Sequence, residues 1–185
     1  FRHALFQTVS IASTTGFASS DFNLWPDFSR YVLLLLMFVG GCSGSTAGGM
    51  KVSRFVILLK VTWAELRRTI HPRLVYSIKM GGRNVPPVVV GNVTRFFYLY
   101  MIVFSTLTLL ISLTGLSMLD SMGIIAACMS SVGPAFGIVG PTATYADVST
   151  FGRLVVIAAM ILGRLEIFTL LIIMRPDFWR VKRNW

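Results

Sequence analysis

Two short runs in this sequence join hydroxyl side chains to a glycine at the end of an apolar stretch: Ser13-Thr14-Thr15-Gly16-Phe17 and Ser130-Ser131-Val132-Gly133-Pro134. A dehydrated alkali cation needs several oxygens at once. Backbone carbonyls of a glycine-containing turn can supply them, because glycine reaches dihedrals that other residues avoid. Thr14, Thr15, Gly16 and Phe17, together with Ser131, Val132, Gly133 and Pro134, are therefore candidate ligands for a monovalent cation through main-chain oxygen. Neither turn holds a fixed positive charge, and a helix ending at each would turn its negative dipole end toward the ion. Taken singly, either turn would serve as an ordinary helix C-cap, where glycine is common; their occurrence as a pair favours the ion reading.

Other chemistries find little support. His3 and His71 lie in different regions, no Ser-His-Asp grouping is apparent, and no metal-ligand cluster or phosphate-binding glycine motif stands in a strand–helix context. The chain does not read as an enzyme, and no organic cofactor is expected. Cys42 and Cys128 lie in glycine-rich or apolar surroundings and read as packing residues.

The elements that must carry the turns are those of a membrane protein. The 185 residues are 55% hydrophobic and 13% charged, with a mean hydropathy of +0.74, far from soluble usage. The net charge of +10 gathers in two blocks, 51–95 and 175–185, which the positive-inside rule places in the cytoplasm and which argue against a nucleic-acid partner. Asp21, Asp27, Asp120 and Asp147 fall in the opposite, outer segments. Spanning helices are expected over about Val93–Leu116 and Phe151–Met174, each long enough for a hydrocarbon core of about 30 Å. Arg2–Ser13 and Asp120–Ser130 are helix-compatible but too short to cross, and suit re-entrant half-helices.

A third apolar run starts near Phe28 and meets Gly40-Gly41-Cys42-Ser43-Gly44-Ser45-Thr46-Ala47-Gly48-Gly49 before it can cross. Non-helical backbone at that depth is tolerated only where it is buried in protein or lines water, so the break should face a cavity just beneath the glycine turns. An amphipathic helix resumes over Met50–Leu66. Between His71 and Asn92, Gly81-Gly82 and Pro86-Pro87 read as a cytoplasmic hairpin or turn.

Gly16 and Gly133 align at an offset of 117, which also pairs Ser13 with Ser130 and Thr14 with Ser131; Phe28, Arg30, Met37 and Gly40 match Phe151, Arg153, Met160 and Gly163 at 123. The order half-helix, glycine turn, acidic outer loop, long helix recurs in both halves, as in transporters assembled from repeats. The expected fold is an all-α membrane protein of repeated helix–pore loop–helix units, of the potassium-channel-like type, around a pseudo-symmetric pore. Its parts are residues 1–70 (a unit lacking its first membrane helix), 71–92 (linker), 93–174 (a second unit) and 175–185 (basic tail). The chain opens at Phe1 inside a helical run, so a preceding membrane helix and an N-terminal half supplying two more walls are expected.

The two turns, the Gly40–Gly49 break followed by Met50-Lys51, His71-Pro72-Arg73, and Gly163-Arg164 together resemble the TrkH/KtrB/HKT superfamily of potassium transporters over essentially the whole chain, and look most like its bacterial TrkH branch. The resemblance implies four pseudo-repeats around one potassium pathway in a bacterial inner membrane, of which these would be the third and fourth. It further implies homodimers on a cytosolic, nucleotide-binding TrkA-like ring. Val132-Gly133-Pro134 departs from the commoner hydroxyl-glycine pattern.

Under that resemblance Gly40 to Gly49 forms an intramembrane gate; a hinge or close-packing glycine patch is the plainer alternative. Arg164, deep in its helix, should face protein or water. It would then act as a closed-state barrier bonding the loop, or else as half of a buried ion pair with a partner other than Glu166. Arg2, His3, Arg30 and Arg153 suit the outer interface by snorkelling. The basic tail from Arg175 suits either anionic lipid or the regulatory ring. Potassium conduction, proton- or sodium-coupled symport, and a non-conducting scaffold are the functions to be separated.

Overall fold

The computed structural model describes residues 1–42, 44–45, 47–71 and 77–165. The expected tail from Arg175, Glu166, Pro72-Arg73, and Ser43 and Thr46 of the glycine loop lie outside the described residues. Within them the chain is built of helices, with two short two-stranded pairings.

The first half opens with α1 (Arg2–Ala12), the glycine turn, and an outer loop whose short 3-10 turn, Phe22–Leu24, is started by Asp21 accepting from the Asn23 amide at 2.9 Å. The second apolar helix, α2 (Asp27–Phe38), stops after twelve residues. Its exit strand β1 (Val39–Gly40) pairs in parallel with β2 (Met50–Lys51). The two ends of the glycine break are thereby fastened side by side and the residues between them project as a loop. The amphipathic α3 (Val52–Ile70) follows, exposing Leu59, Trp63, Leu66 and Ile70, with Arg67 stacked over Trp63.

The hairpin β3 (Lys79–Met80) and β4 (Arg83–Asn84) turns at Gly81-Gly82, both at positive φ, the requirement of a tight two-residue turn. Lys60 Nζ donates to the Lys79 carbonyl at 2.6 Å and docks the hairpin on α3.

The helix α4 (Pro87–Ser112) starts at Pro87 rather than Val93 and ends at Ser112 rather than Leu116. Pro87 occupies a first-turn position, where its missing N–H costs nothing and its fixed φ favours the helix. The linker is shorter than expected for that reason. At 1.5 Å per residue its 26 residues reach about 39 Å, and it is the one described helix long and apolar enough to cross a membrane.

At the centre is α5 (Met118–Met129), capped by Ser117 accepting from the Asp120 amide at 3.1 Å. Its residues Ile124 to Met129 are all fully buried. It packs on α4, on α2 and on α6 (Thr150–Arg164), the last capped by Ser149. Close approach of α6 depends on Gly163, where a Cβ would lie 2.6 Å from the Met129 carbonyl carbon. Leucine, isoleucine and tyrosine side chains along α4, such as Tyr98, Ile102 and Leu109, remain exposed.

Offsets seen in the sequence recur in the elements. α2 begins at Asp27 and α6 at Thr150, separated by 123 residues, and the Arg30 and Arg153 amides donate to the corresponding N-cap carbonyls of Pro26 and Ser149. The helices then diverge: α2 gives way at Val39, whereas α6 runs on through Gly163 to Arg164.

Candidate functional site

Helices α1 and α5 end directly in the two glycine turns, and the turns have one backbone geometry. Thr14 and Gly16 take φ of 54° and 78°; Ser131 and Gly133 take 56° and 102°. Left-handed φ at Thr14 and Ser131 is uncommon for residues other than glycine, yet it is present at both, and in each turn the residue between the two left-handed positions does not share it. The amides of Ser13, Thr14 and Thr15 donate to Val9, Ile11 and Ser10; those of Ser130, Ser131 and Val132 donate to Ala126, Cys128 and Ala127. Every donor and acceptor in the second set is 117 residues beyond its counterpart.

The turns also meet. A Cβ on Gly16 would overlap the Val132 carbonyl oxygen and stand 3.2 Å from both the Val132 carbonyl carbon and Pro134 Cδ. Only glycine permits that approach at that φ. Thr15 is bonded to Ser13 through their hydroxyls at 2.8 Å, and the Phe17 side chain is 71% exposed, so Phe17 can contribute only its backbone to the turn. Of the expected set, Gly16, Val132 and Pro134 are brought into direct proximity.

Beneath them lies the glycine loop. The Gly48 amide donates to Thr14 Oγ1 at 3.4 Å. A Cβ on Gly48 would lie 2.5 Å from the Ser130 carbonyl carbon and 3.0 Å from Ser131 Cβ. The loop thus touches both glycine turns from one residue. Gly40 packs on Gly48 and Gly49 and Gly41 on Ser45 and Ala47, while a Cβ on Gly44 would meet nothing within 4 Å and Cys42 is an exposed free thiol.

Gly44, Ser45, Ala47, Gly48 and Gly49 line a cavity of about 290 Å³ that also receives Lys51, Arg54 and Arg164. Arg164 lines a second, adjoining cavity of about 560 Å³ with Ser131 and Gly133, so it stands where loop and turn converge. Arg54 stacks 4.2 Å over the Phe96 ring.

Lys51 is the participant that sequence reasoning missed. Its ammonium donates to the Ser45 carbonyl at 2.7 Å and to the Ala47 carbonyl at 2.6 Å, closing the loop upon its own base. The signal was its position next to the break, but a lysine opening an amphipathic helix reads first as a cytoplasmic charge. Arg153, expected to snorkel, instead donates to the Val148 and Ala146 carbonyls at 2.9 and 2.6 Å and fastens the outer loop. Arg30 pairs with Asp27.

The outer loops are joined across the molecule. Asn23 exchanges two hydrogen bonds with Gly137, accepting from its amide at 3.1 Å and donating to its carbonyl at 3.3 Å, and Phe22 meets Phe136 edge to face at 5.4 Å. Behind the turns, Ser10 Oγ donates to the Phe17 carbonyl at 2.7 Å, Gln7 accepts from the Ser19 amide at 3.1 Å, and Tyr145 OH donates to the Gly133 carbonyl at 2.7 Å. Burial pushes the Tyr145 phenol above its ordinary value, so it keeps its donor proton.

The family model described as a TrkH cation transport protein matches residues 1–180. The Trk system potassium uptake protein TrkH of Vibrio parahaemolyticus is 46% identical over 180 residues, 97% of this chain and 37% of the relative. In Escherichia coli K12, TrkH is 41% identical over 177 residues and TrkG 36% over 180, covering 96% and 97% of this chain and 36% and 37% of those proteins. The crystal structure of the potassium transporter TrkH from Vibrio parahaemolyticus superposes with a TM-score of 0.87 at 46% identity, covering 96% of this chain and 38% of that one. The chain spans a little over a third of the length of the curated relatives it matches.

Proposed function

Because this all-α chain belongs to the TrkH family of cation transport membrane proteins, a family of transporters and not of enzymes, we propose that it supplies two of four walls of a potassium pathway. Carbonyls of Thr14, Thr15 and Gly16 and of Ser131, Val132 and Pro134 replace water around the ion, those of Phe17 and Gly133 being turned instead to Ser10 and Tyr145, and the Gly40–Gly49 loop with Arg164 gates the passage. The observation that carries the reading is the meeting of two turns with the same pattern of left-handed residues, Gly16 against the Val132 carbonyl. Ring-forming carbonyls are the recurrent solution for dehydrating potassium, and α1 and α5 direct their electronegative ends at that point.

The loop stands directly under both turns, where a blockage stops flow without altering the ligand ring. Lys51 holds the loop shut through two charge-assisted bonds. Arg164, facing the same cavity, adds positive charge that opposes a cation in transit. The remaining walls come from an N-terminal half of the same protein, and the whole works as a homodimer in the bacterial inner membrane. A TrkA-like nucleotide-binding ring docks on its basic cytoplasmic surface.

The test is Gly16→Ala in the full-length protein, reconstituted in vesicles and assayed for rubidium uptake. A side chain there overlaps the facing carbonyl at a strained φ, so uptake should be abolished while assembly persists. Undiminished uptake would remove these turns from the pathway. Reversal potentials measured with added proton or sodium gradients separate conduction, which follows potassium alone, from coupled symport.

A further inference from the structure

Two hydrogen bonds hold the glycine turns from behind, and they come from unrelated places. In the first half Ser10 Oγ, on α1, donates to the Phe17 carbonyl. At the offset of 117 the residue corresponding to Ser10 is Ala127, which has no donor. The second turn is served instead from the outer loop, by Tyr145 OH on the Gly133 carbonyl.

Tyr145 is itself firmly placed. It opens a 3-10 turn, Tyr145–Asp147, whose first bend is closed by Thr144 Oγ1 accepting from the Ala146 amide at 3.4 Å. Arg153 of α6 grips the Ala146 and Val148 carbonyls on its far side. The phenolic oxygen also lies 3.3 Å from Cys128 Sγ on the fully buried α5.

Gly133, by contrast, has φ of 102° and nothing within 4 Å of where a Cβ would be. Pro134 braces the far end of this peptide through its contact with Gly16, but nothing stands on the open side of Gly133 itself, and glycine leaves its φ free. The bond from Tyr145 supplies the restraint.

We propose that Tyr145 is a positioning residue of the ion pathway: by holding the Gly133 carbonyl it sets the orientation of the Gly133–Pro134 peptide, and hence potassium-over-sodium discrimination, with Ser10 doing the same for Phe17. This rests on the reading of the turns as the ion-ligating ring. Discrimination among monovalent cations depends on the number and placement of carbonyls, and a peptide released from its donor can swing between facing the phenol and facing the ion. Neither hydroxyl touches the ion; each acts through a carbonyl.

The experiment measures bi-ionic potassium/sodium reversal potentials of the full-length protein in vesicles for wild type, Tyr145→Phe, Ser10→Ala and Gly16→Ala. Tyr145→Phe removes one oxygen and keeps the ring. It should lower the potassium/sodium permeability ratio by roughly two- to tenfold, the range expected for one neutral hydrogen bond, while potassium flux persists. Ser10→Ala should shift the ratio in the same sense, and stands as the test if Tyr145→Phe does not assemble. A wild-type ratio in either assembled variant, alongside a Gly16→Ala variant that loses transport, overturns the positioning role and leaves the ring intact. A Gly16→Ala variant with wild-type flux and ratio overturns the ring and this inference with it.

Discussion

A methyl group added at Gly48 tests whether the glycine loop seats on the two glycine turns. The backbone there needs no left-handed φ, so alanine is conformationally allowed and the effect is steric. Its Cβ would overlap the Ser130 carbonyl oxygen and stand 2.5 Å from the carbonyl carbon, against 3.4 Å where ordinary contact begins; at least 3.4 − 2.5 = 0.9 Å must be found by movement. Ser130 is fully buried, with its amide bonded to the Ala126 carbonyl, whereas the loop carries the unpacked Gly44 and exposed positions. The loop is the side that yields. Overpacking of this kind costs about 1–3 kcal/mol, here charged to the closed arrangement alone, which corresponds to about 5–150-fold in the open population. Rubidium uptake by the full-length protein in vesicles, without a regulatory subunit, should rise by that factor in Gly48→Ala. Gly91→Ala in α4, where a Cβ meets nothing within 4 Å, should match wild type. Uptake in Gly48→Ala within twofold of wild type would show that the loop does not rest on the turns. A fall in uptake with altered ion preference would show that the turn gave way instead.

Lys51→Met keeps most of the side-chain stem and removes both bonds to the loop carbonyls. Charge-assisted bonds contribute about 1.5–3 kcal/mol each, so basal rubidium uptake should rise at least tenfold, and an unchanged rate would exclude Lys51 from the latch. Asn23→Ala leaves the half-buried Gly137 amide without its partner, the carbonyl keeping only the Gly140 amide, at a cost of about 1–3 kcal/mol. The Tm of the purified full-length protein should drop by several degrees, at about 2–4 °C per kcal/mol for a domain of this size; an unaltered Tm would show that the two outer loops are not held by this pair.

Much of the site was legible because it is encoded locally. A hydroxyl-glycine turn ending a ten-residue apolar run, or ten residues dense in glycine inside an apolar helix, can adopt few structures, and α1, α5 and the end of α2 follow directly. The boundary at Pro87 was misjudged because proline breaks a helix internally but starts one readily, and sequence does not say which. The roles of Lys51, Arg153, Asn23 and Tyr145 were not legible for a different reason. Each is a polar side chain whose partner is a backbone atom, and a carbonyl has no residue type to recognise. Asn23 and Gly137 are 114 positions apart, and nothing in either identity announces the other. Gly48 was named as part of a flexible break; its importance lies in the atom it leaves absent, which only the facing Ser130 reveals.

That absence binds the history of two distant segments together. A loop cut to the profile of residues 130 and 131 cannot drift in sequence independently of them: enlarging one side demands a matching recess on the other. Chimaeras that exchange residues 40–49 between relatives should therefore fold best when the stretch around Ser130 travels with them, since each side is shaped to the other.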